Sequence, residues 1–194
     1  MISLESQVGF GNALKELLLK IQDEFRKYAP TALPIKMYIA GGAALYLMTG
    51  ERSTEDIDAT FSKRVLFGRD MEISYRDIDG RASVIYLDRN YNDTLGLMHE
   101  DAEDDSVSIT VKGIDRKILD VRVLSPLDLA VSKLSRFSDE DRNDIISLAK
   151  HRLIDANSLR SRAESALTAY VGNVGAVSNT IKTACRIVES INPK

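Results

Sequence analysis

The pattern of apolar residues changes at Ser125, and this change limits the possible folds more than any other feature of the sequence. Before Ser125, short apolar runs alternate with Gly, Pro and Asp, which is typical of strands, turns and short helices. From Ser125 onward, Ser125 and Ser138 are each followed by an acid three residues later, which is typical of helix N-termini. We therefore predict an α/β (α+β) fold, with a small mixed sheet flanked by helices over residues 1–124. Residues 125–194 are predicted to form a C-terminal helical bundle that packs on this core.

The individual elements follow from spacing and from residues that end helices and strands. Apolar residues at helical spacing predict a helix over residues 13–28, which Pro30 and Pro34 end. The other predicted elements of the core are a strand at 35–40, a helix at 43–49, a strand at 56–61, a hairpin over 71–87 that turns at Asp79-Gly80, and a hairpin over 106–123 that turns at Gly113. Four helices are predicted after residue 124, with Ser125, Ser138 and Asp155 as N-caps.

Charge and hydropathy exclude several classes of protein. The chain has 26 Lys and Arg against 29 Asp and Glu, a net charge of −3, which excludes a strongly basic nucleic-acid coat but not a local basic patch. The longest nearly apolar run, residues 38–48, is well short of the ~20 residues that a membrane span needs. No secretory signal is visible, and the single cysteine cannot form an internal disulfide. We therefore expect a cytoplasmic protein without a membrane partner.

Three aspartates are candidates for a metal site. Asp56 and Asp58 are two residues apart on a predicted strand, so both carboxylates should leave the same face. Two neighbouring carboxylates repel each other unless one is protonated or a cation lies between them, and Mg²⁺ (or Mn²⁺) prefers such oxygen ligands. Asp120 interrupts an otherwise apolar strand, where an acid is costly without a partner. If that strand is adjacent, Asp120 completes a metal site of three carboxylates, suited to phosphoryl transfer.

The dipeptide Gly41-Gly42 is a candidate phosphate site. It ends a predicted strand and begins a helix, so its backbone N–H groups can meet an anion without hindrance from side chains. Thirteen residues separate Gly42 from Asp56, which is enough for a short helix and a return loop. We therefore expect phosphate donors and metal carboxylates at one rim of the sheet.

Gly41-Gly42, the short helix and the sequence from Arg52 to Asp58 together resemble the nucleotidyltransferase fold of the DNA polymerase β-like superfamily. That superfamily has a Gly-Gly or Gly-Ser turn, a paired acid on the next strand and a third acid on a later strand, where Asp120 stands here. The downstream sequence resembles AbiEii-type toxins and their minimal bacterial relatives. Lys133, Arg136 and Asp141 match the third motif of that branch, whereas Ser135 replaces the usual Ala and Glu140 replaces the usual Arg.

The resemblance implies a Mg²⁺-dependent transfer of a nucleoside monophosphate from a nucleoside triphosphate to a hydroxyl acceptor, such as tRNA or a protein. It implies that Asp56 and Asp58 bind the metal ions, that Asp120 completes the site beside the attacking hydroxyl, and that Asp141 acts as an organiser or a base. The residues implied in nucleotide binding are Gly41, Gly42, Arg52, Ser53, Lys133 and Arg136. A toxin-like protein of this kind would also have an antitoxin partner.

Two other functions stay open at this point. A non-catalytic member of the same fold could sense nucleotides or bind a partner protein, which Glu140 favours and the intact acids disfavour. The spacing of Asp56, Asp58 and Thr60 also matches the nucleophile motif of haloacid-dehalogenase-like phosphatases. That fold requires a buried apolar strand before its first Asp, whereas the five residues before Asp56 are all polar.

Overall fold

The structure is a computed structural model that describes residues 9–91 and 96–193. Its helices are α1 (Phe10–Phe25), α2 (Gly41–Thr49), α3 (Pro126–Ser132), α4 (Asp139–Lys150), α5 (Ala156–Ala166) and α6 (Val174–Ile191), with a 3-10 turn at Pro30–Ala32. Its strands are β1 (Ile35–Ile39), β2 (Asp56–Ile57), β3 (Ala59–Phe61), β4 (Glu72–Arg76), β5 (Ala82–Leu87), β6 (Val107–Ser108) and β7 (Leu119–Val123). The predicted mixture of helices and strands is confirmed. No helix of the described residues combines the length and hydropathy needed to cross a bilayer.

The strands form two small mixed sheets instead of one. The first has the order β3-β1-β7-β6, in which β1 and β7 are parallel and the outer pairs are antiparallel. The second has the order β2-β5-β4, in which β2 and β5 are parallel and β4 and β5 form the predicted hairpin at Asp79-Gly80. The other predicted hairpin is also confirmed, because β6 and β7 are antiparallel on either side of Gly113.

The predicted strand over residues 56–61 is wrong as a single element, because the chain changes sheets at Asp58. β2 pairs with β5, whereas β3 pairs with β1. The Ala40 N–H donates a hydrogen bond to the Asp58 carbonyl (2.9 Å), which marks where pairing with β1 begins. Asp58 therefore lies where the two sheets separate.

The chain forms two compact units. The described part of the first comprises residues 9–47, 52–91 and 107–123 and contains every strand above, and that of the second comprises residues 48–51, 96–106 and 124–193 and contains α3 to α6. Segments of the two units alternate along the chain. The predicted division into domains of residues 1–124 and 125–194 stays a prediction. Residues 1–8, 92–95 and 194 of those predicted domains lie outside the described residues.

In the first unit, β1 and β7 have one apolar and one more polar face. Met37 and Val121 are register partners with almost no exposed surface, and the flanking residues at alternate positions are equally buried. The opposite face includes the register partners Lys36 and Asp120. Because successive side chains of a strand point to opposite faces, this alternation brings polar groups of several strands to one side of the sheet.

In the second unit, the predicted helix N-caps are confirmed. The Ser125 hydroxyl accepts a hydrogen bond from the Asp128 N–H (3.0 Å), and Ser138 forms a reciprocal capping box with Asp141. Asp155 caps α5 by accepting hydrogen bonds from the N–H groups of Asn157 and Ser158. Each cap satisfies backbone N–H groups that the first helical turn leaves without a partner.

Candidate functional site

The acid pair lies at the point where the two sheets separate. Ile57 is fully buried between the half-buried Asp56 and Asp58. Because side chains alternate along an extended chain, the burial of Ile57 directs both carboxylates to the opposite side. The Thr54 hydroxyl donates a short hydrogen bond to Asp56 Oδ1, which orients that carboxylate. Thr54 is a residue that the sequence analysis missed, and its position in the polar loop before the pair was the available signal.

Gly41-Gly42 contacts this acidic segment directly. Gly41 has a φ of +57°, and a Cβ atom built on it would lie 2.0 Å from Asp58 Oδ2. A Cβ on Gly42 would lie 3.0 Å from the Cβ of Thr54. Only a residue without a side chain therefore leaves room for the Asp58 carboxylate as it is placed. The predicted rim of glycines and carboxylates is present.

The rim also includes the N-terminus of α2. The Ala44 N–H donates to the Ala40 carbonyl (3.1 Å), so the helix does not use the preceding amides of Gly41 and Gly42 for its own bonds. A helix N-terminus carries partial positive charge, which stabilises a nearby carboxylate such as Asp58 and attracts other anions. The rim thus combines acidic oxygen atoms with amide donors.

The predicted position of Asp120 beside the acid pair is wrong. Asp120 is the register partner of Lys36, whereas Asp58 bonds to Ala40. Ala40 is four positions after Lys36, which corresponds to about 13 Å along the direction of β1. β1 also lies between β3 and β7 and adds roughly 10 Å across the sheet. An aspartate side chain is too short to span this distance, so Asp120 cannot share a metal ion with Asp58.

Asp120 has a structural role instead. It is 8% exposed, and its carboxylate lies 3.1 Å from Arg116 Nη2 and 3.4 Å from Arg122 Nη1. The Ser108 hydroxyl donates a further hydrogen bond of 3.2 Å. The cost of placing an acid in this strand is therefore offset by two arginines and a hydroxyl, as buried charges require.

Two carboxylates remain as the donor set for a metal ion. No three or more His, Cys, Asp or Glu side chains within residues 9–91 and 96–193 are grouped closely enough to hold a metal ion. Asp56 and Asp58 are therefore too few for a site built from protein ligands alone. Mg²⁺, however, is commonly held by one or two carboxylates together with substrate phosphates and water. The pair fits an ion of that kind.

The second unit contains a separate cluster, which we call the Lys133 cluster: Lys133, Arg136, Asp141 and Asp144. All of its members except the exposed Arg136 are buried. Lys133 Nζ lies 2.9 Å from Asp144 Oδ2 and 3.7 Å from Asp141 Oδ1. Arg136 donates two hydrogen bonds of 2.8 Å to the two oxygens of Asp141. The predicted motif residues Lys133 and Arg136 thus both contact the third, Asp141. Asp141 and Asp144 are almost fully buried.

Asp141 is ionised at neutral pH in this cluster. Burial alone would raise the pKa of Asp141, but the hydrogen bonds from Arg136 and Ser138 and the charge of Lys133 lower that pKa to about 2. A carboxylate with such a pKa and 1% exposure is a poor proton acceptor at neutral pH. Of the two roles predicted for Asp141, the geometry favours that of an organiser. Arg52 and Ser53 are exposed in the loop before β2, and their roles stay predictions.

A family model described as a nucleotidyltransferase of unknown function (DUF6036) matches residues 16–181. The match covers most of the chain and every residue that the sequence analysis assigned to the site. No curated protein and no solved structure gives a significant match. The narrower resemblance to AbiEii-type toxins stays a prediction.

Proposed function

Because the chain belongs to this nucleotidyltransferase family, we propose that it transfers a nucleoside monophosphate from a nucleoside triphosphate to a hydroxyl acceptor, with Mg²⁺ (or Mn²⁺) held by Asp56 and Asp58. The observation that carries the proposal is the contact between Gly41 and the Asp58 carboxylate. It joins a helix N-terminus to an acid pair, and the reaction needs both: one binds phosphate and the other binds the metal ion.

The chemistry is an in-line substitution at the α-phosphorus. The acceptor oxygen forms a bond to phosphorus, the bond to the bridging oxygen breaks, pyrophosphate leaves and the hydroxyl proton passes to solvent. When bound, Mg²⁺ would neutralise charge on the phosphate oxygens. Asp56 and Asp58 would hold the ion, and Thr54 would fix the orientation of Asp56. In this proposal the α2 amides at Gly41 and Gly42 bind the phosphate oxygens and keep the triphosphate in register with the acids.

The Lys133 cluster supports this proposal less directly. Lys133 and Arg136 are predicted nucleotide contacts, and the family match spans both. Their present partners are Asp141 and Asp144, so two cations and two carboxylates cancel within the cluster. We propose that Asp141 holds Arg136 and Lys133 in place. A nucleotide-binding role for the two cations would require an exchange of these partners for phosphate.

The acceptor and the biological role are finer proposals. We propose a tRNA or protein hydroxyl as the acceptor, and a toxin-like activity with an antitoxin partner, on the resemblance of the third motif alone. The departure at Glu140 favours the alternative of a non-catalytic nucleotide-binding protein of the same fold.

A transfer assay tests the proposal. Each α-labelled nucleoside triphosphate is incubated with Mg²⁺, total tRNA and lysate proteins, and the label in each fraction is measured. We expect wild type and the control Asp79→Asn, an exposed turn residue, to label one fraction equally. We expect Asp58→Asn to lose at least about a hundredfold of the rate, because a metal ligand is removed. Equal labelling by Asp58→Asn would contradict the proposal, and nucleotide binding without transfer would favour the non-catalytic alternative.

A further inference from the structure

A cavity of about 550 Å³ lies beside β3 in the first unit. It is lined by β3 itself, by the segment 63–67 and by residues 87–91. This volume is within the range of roughly 300–1,000 Å³ that small-molecule sites occupy. The cavity could not be predicted from the sequence, because its walls come from segments that are not adjacent in the chain.

The separation of the two sheets creates this cavity. The Asp88 N–H donates to the Ile57 carbonyl (3.1 Å), which holds the end of β5 against β2. One residue beyond Asp58, the chain pairs with β1 instead, and β3 becomes an edge strand of the first sheet. The space between β3 and residues 87–91 is thus left open, and it begins at Ala59, the neighbour of Asp58.

The walls are rich in aromatic and aliphatic surface. Phe61 and Phe67 line the cavity, and their ring centroids are 5.8 Å apart. The Phe25 ring packs against both, with centroid distances of 5.8 Å to Phe61 and 5.9 Å to Phe67. Leu66, another lining residue, is 76% exposed. An exposed large apolar side chain beside fixed aromatic rings is a surface suited to a flat, apolar ring.

The charge of the cavity is opposite to that of the chain. Lys63, Arg64 and Arg89 line it together with one carboxylate, Asp88, an excess of two positive charges. The whole chain has a net charge of −3. Arg89 lies 5.9 Å from the centroid of the Phe67 ring and also pairs with Asp70 (3.4 Å), and Lys63 donates to the Ala32 carbonyl (2.6 Å). Arg64 makes no hydrogen bond or ion pair with the described part of the chain, so it is the cation best placed to bind a ligand. The cavity is therefore complementary to an anion that carries a ring.

The edge of β3 adds polar groups. The Asp58 carbonyl and the Ser62 N–H both bond to β1 (2.9 and 3.0 Å). Because backbone groups of an antiparallel strand alternate in direction, those of Ala59 and Phe61 point to the open edge. Each such N–H is a donor and each C=O an acceptor, so this edge can form hydrogen bonds with a polar ligand without involving side chains.

We propose that this cavity binds a nucleotide at the end of a single-stranded RNA acceptor. The base would stack against the aromatic and aliphatic wall, and Lys63, Arg64 and Arg89 would contact consecutive phosphates, as in other single-strand sites. The inference rests on the proposed function, because it assigns the acceptor site to the segment that begins with Ala59, directly after Asp58 in the chain. The donor triphosphate is a poorer fit, since Gly41-Gly42 already provides its phosphate site. A peptide acceptor would match the excess of positive charge only if it were acidic, whereas every nucleotide of an RNA carries the required negative charge.

Anisotropy of a ten-nucleotide single-stranded RNA with a 5′-fluorescein label tests this inference without nucleoside triphosphate or Mg²⁺. Arg64→Glu is the test variant, and Arg81→Glu, on an exposed hairpin turn outside the cavity, is the matched control. We expect Arg64→Glu to weaken binding about tenfold or more and the control to change it less than twofold. Leu66→Ser should weaken binding several-fold while the folded state is kept, since its side chain is mostly exposed.

Equal binding by Arg64→Glu and Arg81→Glu, or no binding by wild type, would overturn the inference. Weakened binding of Mg²⁺ and nucleoside triphosphate in Arg64→Glu with unchanged RNA binding would also overturn it, because the cavity would then serve the donor. Asp58→Asn separates the two proposals. Arg64-dependent RNA binding without any transfer would reject the proposed reaction only. Asp58-dependent transfer with RNA binding unaffected by Arg64→Glu would reject the cavity only.

Discussion

The acid pair of the first unit and the Lys133 cluster of the second use the same residue type in different ways. In the Lys133 cluster each aspartate is almost fully buried and lies beside a cation. Asp56 and Asp58 are half-buried instead; the Thr54 hydroxyl bonds to Asp56, and Gly41 lies against the Asp58 carboxylate. A buried, paired carboxylate stabilises the fold only while both partners are present. We expect two carboxylates that are two residues apart at a half-exposed edge to contribute little to stability, which agrees with the metal-binding role proposed for them.

The largest expected effect is a loss of stability when the Lys133 cluster is changed. Asp141→Asn should lower the free energy of unfolding by about 3–5 kcal/mol, because Lys133 and Arg136 lose a buried partner and α4 loses part of its capping box. Urea denaturation measures this change. Asp139→Asn is the matched control, since its side chain is 93% exposed, and it should change stability by less than about 0.5 kcal/mol. Similar values for the two variants would mean that the cluster does not stabilise the fold.

Asp120 tests the distinction between aspartates that stabilise the fold and aspartates that act in the proposed reaction. Because it is buried beside two arginines, Asp120→Asn should lower the free energy of unfolding by about 1–3 kcal/mol. Nucleotide transfer should remain within a few-fold of wild type at a temperature where the variant is folded. A loss of transfer as severe as that of Asp58→Asn, in a folded protein, would restore Asp120 as a third catalytic acid.

The pH dependence of stability should also identify the Lys133 cluster. The folded-state pKa of Asp141 is about 2, below its ordinary value of 3.8, so the folded protein binds this proton less readily than the unfolded chain. The stabilisation is therefore complete above about pH 4 and is lost as the pH falls towards 2, a change of about 2 kcal/mol. The difference in unfolding free energy between wild type and Asp141→Asn, measured from pH 7 to pH 2, should shrink in that window. A difference that stays constant would show that the charge of Asp141 contributes nothing.

Gly41→Ala tests the close contact at the rim. The methyl group would displace the Asp58 carboxylate, and a φ of +57° is unfavourable for alanine by about 1–2 kcal/mol. We expect this modest loss of stability together with a loss of nucleotide binding. Gly50→Ala is the control, because its φ is +73° and a Cβ there has nothing within 4 Å. If both variants bind nucleotide like wild type, the contact between Gly41 and Asp58 has no functional role.

The smallest expected effect on stability is that of a change in the acid pair itself. Asp58→Asn removes repulsion between two carboxylates but also removes a favourable charge beside the N-terminus of α2. These two changes oppose each other, so the free energy of unfolding without Mg²⁺ should stay within about 1 kcal/mol of wild type. Thermal or urea denaturation measures it. A large destabilisation would place Asp58 with Asp141, as a structural aspartate.

Features encoded by neighbouring residues could be predicted from the sequence. The N-caps at Ser125 and Ser138 were predicted because a capping box needs only a few consecutive residues. The meeting of Gly41 with the acid pair was also predictable, since a short helix and loop of fixed length connect them.

The features that could not be predicted depend on which strands pair. The position of Asp120 could not be predicted because nothing near it in the sequence indicates that β7 pairs with β1 in parallel. This pairing places Asp120 at the end of β1 that is remote from Asp58. The change of sheets at Asp58 was missed because the alternation over residues 56–61 is the same in one strand or two. The cavity beside β3 was missed for the same reason, since it exists only because the sheets separate there.

Titration calorimetry of a nonhydrolysable nucleoside triphosphate tests the central assignment most directly, with and without Mg²⁺, in wild type and Asp58→Asn. We predict binding to wild type that weakens at least about tenfold when Mg²⁺ is removed, and binding to Asp58→Asn that is weak under both conditions. Binding of equal strength in both proteins, or in wild type regardless of Mg²⁺, would contradict the assignment of Asp56 and Asp58 as the metal ligands of this site.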